Sequence, residues 1–150
     1  IKEINDKKKA FIRFASKNTK SAKRIIPYRT PFNNVTMAIK RKKFLELNGY
    51  PSLRTAEDWL FMGKVIQKNL KISFEDKILV EVAKDKSFLS RRRGINVYKD
   101  INICINNLYK MGLVNKYERF ISLNLQKILR LYLPNNFLKL IYSFFRKKVN

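Results

Sequence analysis

Thr55-Ala56-Glu57-Asp58-Trp59-Leu60-Phe61-Met62-Gly63-Lys64-Val65-Ile66-Gln67 is the stretch on which the reading of this chain turns. Its spacing predicts a helix over Thr55 to Gln67 with Trp59, Leu60, Phe61 and Val65 on the apolar side. Thr55, with Asp58 three residues on, fits a capping box. The acids Glu57 and Asp58 in the first turn face the positive end of the helix dipole. An Asp on a rigid helix start is also well placed to take a proton from an attacking hydroxyl. Both roles fit the pattern, because one acid can cap while the other stays available for chemistry.

Working towards the N-terminus, Asn48-Gly49 is a stop signal for a short helix over Lys42–Leu47. Val35–Ile39 reads as a strand, and Thr30-Pro31-Phe32-Asn33-Asn34 as a loop. Asn18 or Thr19 caps a short helix through Ala22, Ile25 and Ile26 that ends near Pro27. Ile1–Ile4 and Ala10–Phe14 form a hairpin around Asn5–Lys9. Working towards the C-terminus, Lys71–Phe74 and Lys77–Val82 are strand-like, and Lys84 to Gly94 is a basic loop. Helices then follow over Asn96–Met111, Asn115–Leu131 and Asn135–Lys147, punctuated by Gly112 and Pro134. The order is mixed α/β up to residue 94 and helical after it. It has too few strands for a complete nucleotide-binding sheet.

Composition narrows the chemistry. The 150 residues carry 34 Lys+Arg against 11 Asp+Glu, a formal net charge of +23. The length suits one domain or a piece of a larger one, and 45% hydrophobic residues argue against wholesale disorder. The chain has no His and one Cys, Cys104. Ser-His-Asp and Cys-His nucleophilic sites are therefore excluded within it, as are an internal disulfide and a Cys-based zinc site. The four Gly form no G-x-G phosphate loop. Ile1 to Ala10 is polar and lacks the apolar stretch of a signal peptide, and the start at Ile1 suggests a fragment or a processed chain. Some of the charge reflects a general richness in Lys, Ile and Asn. The positive field still favours anionic partners: nucleic acid, anionic lipid or a phosphate-bearing substrate.

Two basic features stand out. Arg91-Arg92-Arg93-Gly94 is the densest run. It is either a solvated loop or a clamp for a diphosphate, since Arg forks bind phosphate oxygens and Gly lets the backbone approach a ligand. From Arg119 to Asn150 the bases are Arg119, Lys127, Arg130, Lys139, Arg146, Lys147 and Lys148, with no acid. Interleaved apolar residues, among them Leu129, Phe137, Ile141 and Phe145, make this an amphipathic tail. It suits either an anionic membrane surface or packing against protein. Bases interleaved with aromatics also suit single-stranded nucleic acid, but no nucleic-acid module accompanies them.

An ordered set of short runs resembles a known family. Arg29-Thr30-Pro31-Phe32-Asn33-Asn34-Val35-Thr36-Met37 is followed by Asn48-Gly49-Tyr50, then Glu57-Asp58-Trp59-Leu60-Phe61, Leu79-Val80 and Ser90-Arg91-Arg92-Arg93-Gly94. Over about residues 1–110 the set is similar to the second half of family 2 glycosyltransferases, nearest the bacterial exopolysaccharide or amylovoran-type branch.

The resemblance implies a GT-A fold, a Rossmann-like α/β domain of which this chain would be the acceptor-side half. Residues 1–112 would be the C-terminal part of the catalytic domain, and 113–150 an amphipathic basic helical tail. The resemblance assigns Asp58, with Glu57 beside it, as the base that deprotonates the acceptor. It places Asn33, Asn34, Gly49 and Tyr50 at the site, and Arg92, Arg93 and Gly94 near the donor diphosphate or acceptor. It implies a divalent cation, Mg or Mn, with most ligands upstream of Ile1, where the family's Asp-x-Asp motif would lie. Asn34 stands where related sequences often have His, and Asn48 where a second Gly is common. The implied activity is inverting transfer of a sugar from a nucleotide sugar to a hydroxyl of a growing surface or extracellular glycan, or of a lipid-linked acceptor. The expected location is cytoplasmic, peripheral on the inner face of the membrane, with no specific nucleic acid bound. The alternatives are a non-catalytic membrane-surface module and a nucleic-acid-binding protein.

Overall fold

Apolar residues on almost every side of one helix make it the centre of the molecule. The computed structural model describes residues 2–5, 10–12, 16, 18–75, 77–84, 90–134, 137–138, 140 and 147–148. Their element order is β1 (Lys2–Asn5), β2 (Ala10–Ile12), α1 (Thr19–Ile25), α2 (Arg41–Glu46), α3 (Glu57–Gln67), β3 (Glu81–Lys84), α4 (Ile95–Lys110), α5 (Lys116–Lys127), a π turn over Ile128–Tyr132, and β4 (Lys147–Lys148). Helix α3 buries Trp59, Leu60, Phe61, Met62, Gly63, Val65 and Ile66, so both of its flanks are covered. One flank joins Ala22, Ile26, Ile101, Cys104, Ile105, Leu108 and Val114 in the main core. The other places Phe61 and Val65 with Leu47, Met37, Ile39, Phe44, Leu70 and Ile72 in a second core. At the crossing with α4, a Cβ on Gly63 would lie 2.3 Å from Leu108 Cδ2, so glycine permits the close approach there.

The strands form a sheet of order β3-β1-β2-β4. β1 pairs antiparallel with β2 and parallel with β3, and β4 pairs antiparallel with β2. The hairpin expected at the start of the chain is present as β1 and β2. Its turn falls largely outside the described residues.

Several sequence expectations are corrected. Val35–Ile39 is no strand: Asn34–Thr36 is a 3-10 turn, closed by the Thr36 hydroxyl and amide, which both donate to the Asn33 carbonyl. Lys71–Phe74 joins no ladder among the described residues. Ile72 packs on the second core, and the Phe74 ring tilts against Phe32 with centroids 5.7 Å apart. Of Lys77–Val82, only Glu81 and Val82 are in β3, which continues to Lys84. In the basic segment Lys84–Gly94, Ser90–Arg92 forms a 3-10 turn, and residues 85–89 lie outside the described set. The last expected helix, Asn135–Lys147, does not reach its end, because Lys147 is in β4. Residues 137, 138 and 140 are helical, and most of the others lie outside the described residues.

Helix α1 starts as expected. Asn18 accepts from the Ser21 amide, and the Ser21 hydroxyl accepts from the Asn18 amide, a reciprocal box. The same device opens α5 through Asn115 and Glu118. Helix α2 ends in two left-handed residues, Asn48 (φ 56°) and Gly49 (φ 53°), as the Asn-Gly pair requires.

In the turn after α1 the Tyr28 and Arg29 amides donate to the Ile25 carbonyl, while the next three carbonyls are met by side chains. Trp59 Nε1 donates to the Ile26 carbonyl at 2.8 Å. The Ser122 hydroxyl donates to the Pro27 carbonyl, and Gln126 Nε2 donates to the Tyr28 carbonyl at 2.8 Å. Helices α3 and α5 thus grip three successive carbonyls of one turn. A buried carbonyl left without a donor costs ~1–3 kcal/mol. Trp59→Phe and Ser122→Ala are each expected to lower unfolding free energy by about that amount, measured by urea denaturation.

Candidate functional site

The candidate site begins with an aromatic ring cluster. Phe61 of α3 lies 5.2 Å from Phe44 of α2 and 4.9 Å from Tyr50, centroid to centroid, and Phe44 and Tyr50 lie 5.5 Å apart. Lys64 Nζ, one turn further along α3, donates to the carbonyls of Leu47 at 3.0 Å and Gly49 at 3.2 Å. These contacts pin the Leu47–Tyr50 turn to α3. A Cβ on Gly49 would meet the Phe44 ring at 3.0 Å in a left-handed backbone, so this position favours glycine on two counts.

The Tyr50 ring is thereby fixed, and its hydroxyl donates to Asn34 Oδ1 at 2.8 Å. Burial, and then the charges of Asp58 and Glu57, raise the Tyr50 pKa against the opposing pull of the Asn34 bond. Tyr50, Asn34, Glu57 and Asp58 therefore share one neighbourhood. Asn33 is buried behind it and anchors the 3-10 turn through its carbonyl. The loop leading in is pinned as well: the Thr30 hydroxyl reaches Met62 Sδ of α3 at 2.9 Å, and the Pro31 carbonyl accepts from the Ser16 amide at 2.9 Å.

The expected capping box at Thr55 does not form. Helix α3 starts at Glu57, and the residue before it, Ala56, is left-handed with φ 64°. The Thr55 amide and hydroxyl both donate, at 3.1 Å, to Oδ2 of Asp100 on α4. Asp58 Oδ1 accepts from the adjacent Trp59 amide at 2.7 Å. Asp58 therefore does not cap back onto Thr55. Glu57 is partly buried, and its pKa is raised first by that burial and then by the charges of Asp58 and Asp100, while a bond to its own backbone opposes the shift. Cys104 is fully buried, and its thiol pKa is pushed far up by desolvation and then by the charge of Asp58. Such a thiol is no nucleophile.

Sequence reasoning missed Asp100. It sits 45 residues from Thr55, and its helix reads as an ordinary amphipathic element. The signal that pointed at it was negative: Ala at the position before Glu57 offers no capping side chain.

The Arg run is built differently. Arg92 closes the 3-10 turn, and Gly94 (φ 101°) precedes α4. The Gly94 amide donates to the Arg130 carbonyl at 3.2 Å, and Arg130 Nη1 donates to the Arg92 carbonyl at 3.0 Å. Arg130 Nε also donates to Gln126 Oε1 at 3.2 Å, which joins this run to the Tyr28 turn through α5. Arg93 is half-buried beside them. Gly94 lies six residues before Asp100, roughly 9 Å along α4. The backbone of the Arg run is thus tied to the tail, whereas Asn34, Tyr50, Glu57 and Asp58 form one cluster.

Among the described residues, no group of three His, Cys, Asp or Glu side chains is arranged to hold a metal ion. Of the two carboxylates whose charges act on Glu57, Asp100 already spends Oδ2 on Thr55 and Asp58 spends Oδ1 on Trp59. These residues do not fit a divalent-cation site. No helix among the described residues is long and apolar enough to cross a membrane.

Comparison with known proteins gives one relative. The chain is 30% identical over 131 residues to a Haemophilus influenzae protein named "Uncharacterized glycosyltransferase". The match takes in 85% of this chain and 48% of that protein, so the chain spans about half the relative's length. No family model matches, and no solved structure matches. The chain is thus related to a glycosyltransferase.

Folding raises the Glu57 pKa, so the native state holds that proton more tightly than the unfolded chain does. Its contribution to stability is complete below the unfolded pKa and is lost as pH rises through the native one. Glu57→Gln removes this dependence. The variant is expected to gain in melting temperature relative to the parent between about pH 3 and about pH 7, measured by circular dichroism. Asp100→Ala is expected to cost ~1.5–3 kcal/mol, since two hydrogen bonds to a charged acceptor are lost.

Proposed function

We propose that this chain is the acceptor-side part of an inverting, family 2-type sugar transferase with a GT-A fold. The observation that supports this best is the placement of Asp58. It stands at the start of a buried helix, beside Tyr50 and Asn34, with Oδ1 on the first-turn amide of Trp59. Oδ2 is the oxygen free to accept a proton, and no other described residue bonds to it.

In the proposed reaction an acceptor hydroxyl attacks the anomeric carbon of a nucleotide sugar from the face opposite the leaving group. The new carbon–oxygen bond forms as the bond to the diphosphate breaks. The nucleoside diphosphate leaves with the electron pair, and the hydroxyl proton passes to Asp58. The Trp59 amide keeps the carboxylate oriented, and Tyr50 with Asn34 forms the wall against which the acceptor lies. Glu57, held towards its protonated form, limits the negative charge beside Asp58. The donor-binding half and the diphosphate's divalent cation belong to a portion of the enzyme outside these residues. Arg92 and Arg93 lie on the donor side, near the emerging diphosphate. The acceptor is a hydroxyl of a growing surface glycan or a lipid-linked sugar.

Asp58→Asn in the intact enzyme tests this reading. The Asn oxygen still accepts from the Trp59 amide, so folding and donor binding are expected to be retained. Turnover is expected to fall ~10²–10⁴-fold, the range for loss of a general base. Near-parental turnover in a steady-state transfer assay would show that Asp58 is not the base.

A further inference from the structure

Helix α5 turns an aromatic face to the outside. Its fully buried positions are polar: Ser122 is 0% exposed and Gln126 is 3%. Both are consumed by carbonyls of the Pro27-Tyr28 turn, so this side faces the protein through hydrogen bonds. Leu123 packs against the main core, but most of the large apolar side chains face outward. Tyr117 is 72% exposed, Phe120 is 68% and Tyr132 is 67%, with Ile128 also exposed. Tyr117, Phe120, Asn124 and Ile128 follow the i, i+3, i+7, i+11 spacing of one helix face, and Tyr132 continues it in the π turn. Phe137 is exposed just beyond.

Basic side chains outnumber acidic ones around this face. Lys116 and Lys127 are exposed at either end of α5. The helix's one acid, Glu118, is spent on the Asn115 amide at 2.9 Å. From Arg119 to Asn150 there is no acid at all. Arg119 is turned away, bonded to Asn106 Oδ1 at 2.7 Å and stacked over the Tyr109 ring of α4.

We propose that the outward face of α5 and its π turn is the surface by which this protein docks on an anionic lipid bilayer. Phe120, Ile128 and the Tyr rings enter the headgroup region, with Lys116 and Lys127 on acidic headgroups. Aromatic residues with a polar tip favour that depth, and an in-plane helix combines apolar burial with attraction to acidic lipid. A second copy of the chain is a poorer occupant. It would bring a net charge of +23 against +23 and would bury lysines in a protein interface, where they are disfavoured. The proposal is independent of the sugar-transfer reading, because it requires no turnover.

The test is cosedimentation of the full 150-residue chain with vesicles of phosphatidylcholine, with and without phosphatidylglycerol. Binding to the anionic vesicles is expected, and part of it should survive ~0.5 M salt, where exposed charges are largely screened. The variant Phe120→Ser/Ile128→Ser/Tyr132→Ser keeps every charge and touches no buried position. Its binding at ~0.5 M salt is expected to fall about tenfold or more, since three apolar insertions are lost, with an unchanged melting temperature. Lys116→Glu/Lys127→Glu keeps the apolar face and is expected to weaken binding mainly at low salt.

Three results would overturn the proposal. The first is that the parent and the Ser variant pellet alike. The second is that high salt strips the parent completely, which leaves general charge attraction alone. The third is that the parent self-associates without vesicles while the Ser variant stays monomeric, which gives the face to a second copy.

Discussion

Three successive carbonyls, those of Ile26, Pro27 and Tyr28, have to find donors in a turn that no strand accompanies. Pro27 has no N–H with which to build a local ladder, and the turn is sunk between α3 and α5. Unpaired, each carbonyl would cost on the order of 1–3 kcal/mol. The donors are single side chains from two distant helices: Trp59 from α3, and Ser122 and Gln126 from α5. This arrangement sets the register of the structure. It fixes where α1 ends, it aligns α3 against α5 through a common neighbour, and it positions the chain that next runs to Asn33 and Asn34. Arg130 extends the network by bonding Gln126 on one side and the Arg92 carbonyl on the other. Through Arg130, the π turn and the Arg run are therefore wired into the turn that leads towards the candidate site.

The start of α3 shows how the acid pair is kept available. Most helices meet their first amides with a Ser, Thr, Asp or Asn cap, which would have consumed one of these side chains. Here the chain turns through a left-handed Ala56, a conformation that costs about 1–2 kcal/mol for a residue with a Cβ. The two donors of Thr55, aimed at the Asp100 carboxylate, offset that cost from outside the helix. Asp100 of α4 thus anchors the residue that precedes the helix, and Asp58 meets the first-turn amide of Trp59 with one oxygen. Strain held at a site by a neighbouring element is a common mark of function.

Much of the helical framework was legible. The periodicity of Leu60, Phe61 and Val65, the Asn18 cap and the Asn48-Gly49 stop are local signals, and the structure follows them. The strands were legible only in part. Val35–Ile39 has strand composition, but the Asn33 carbonyl captures both donors of Thr36 and closes a turn instead. Lys71–Phe74 has the right residues and no neighbouring edge among the described elements, and pairing is a long-range property that a short run does not encode. At the site, the gathering of Asn34, Tyr50, Glu57 and Asp58 was legible from the ordered motifs. The Asp100 contact was not, because it depends on how α3 crosses α4 at Gly63. The capping pattern at Thr55 was misleading for the same reason, since its hydroxyl found a stronger, charged acceptor across the core.

Helix α5 marks a further limit of periodicity. Its hydrophobic pattern identifies a helix and two faces, and the usual assumption buries the apolar one. That assumption holds when the neighbouring surface offers only apolar contacts. The surface beneath α5 accepts Leu123 on the main core but also offers the bare carbonyls of Pro27 and Tyr28, where a polar residue with a donor is worth more than a leucine. Ser122 and Gln126 therefore take the inside, and Tyr117, Phe120 and Ile128 are turned outward. The orientation of α5 thus follows from the hydrogen-bond deficit of a turn almost a hundred residues earlier in the chain, and the exposed aromatic face is its consequence.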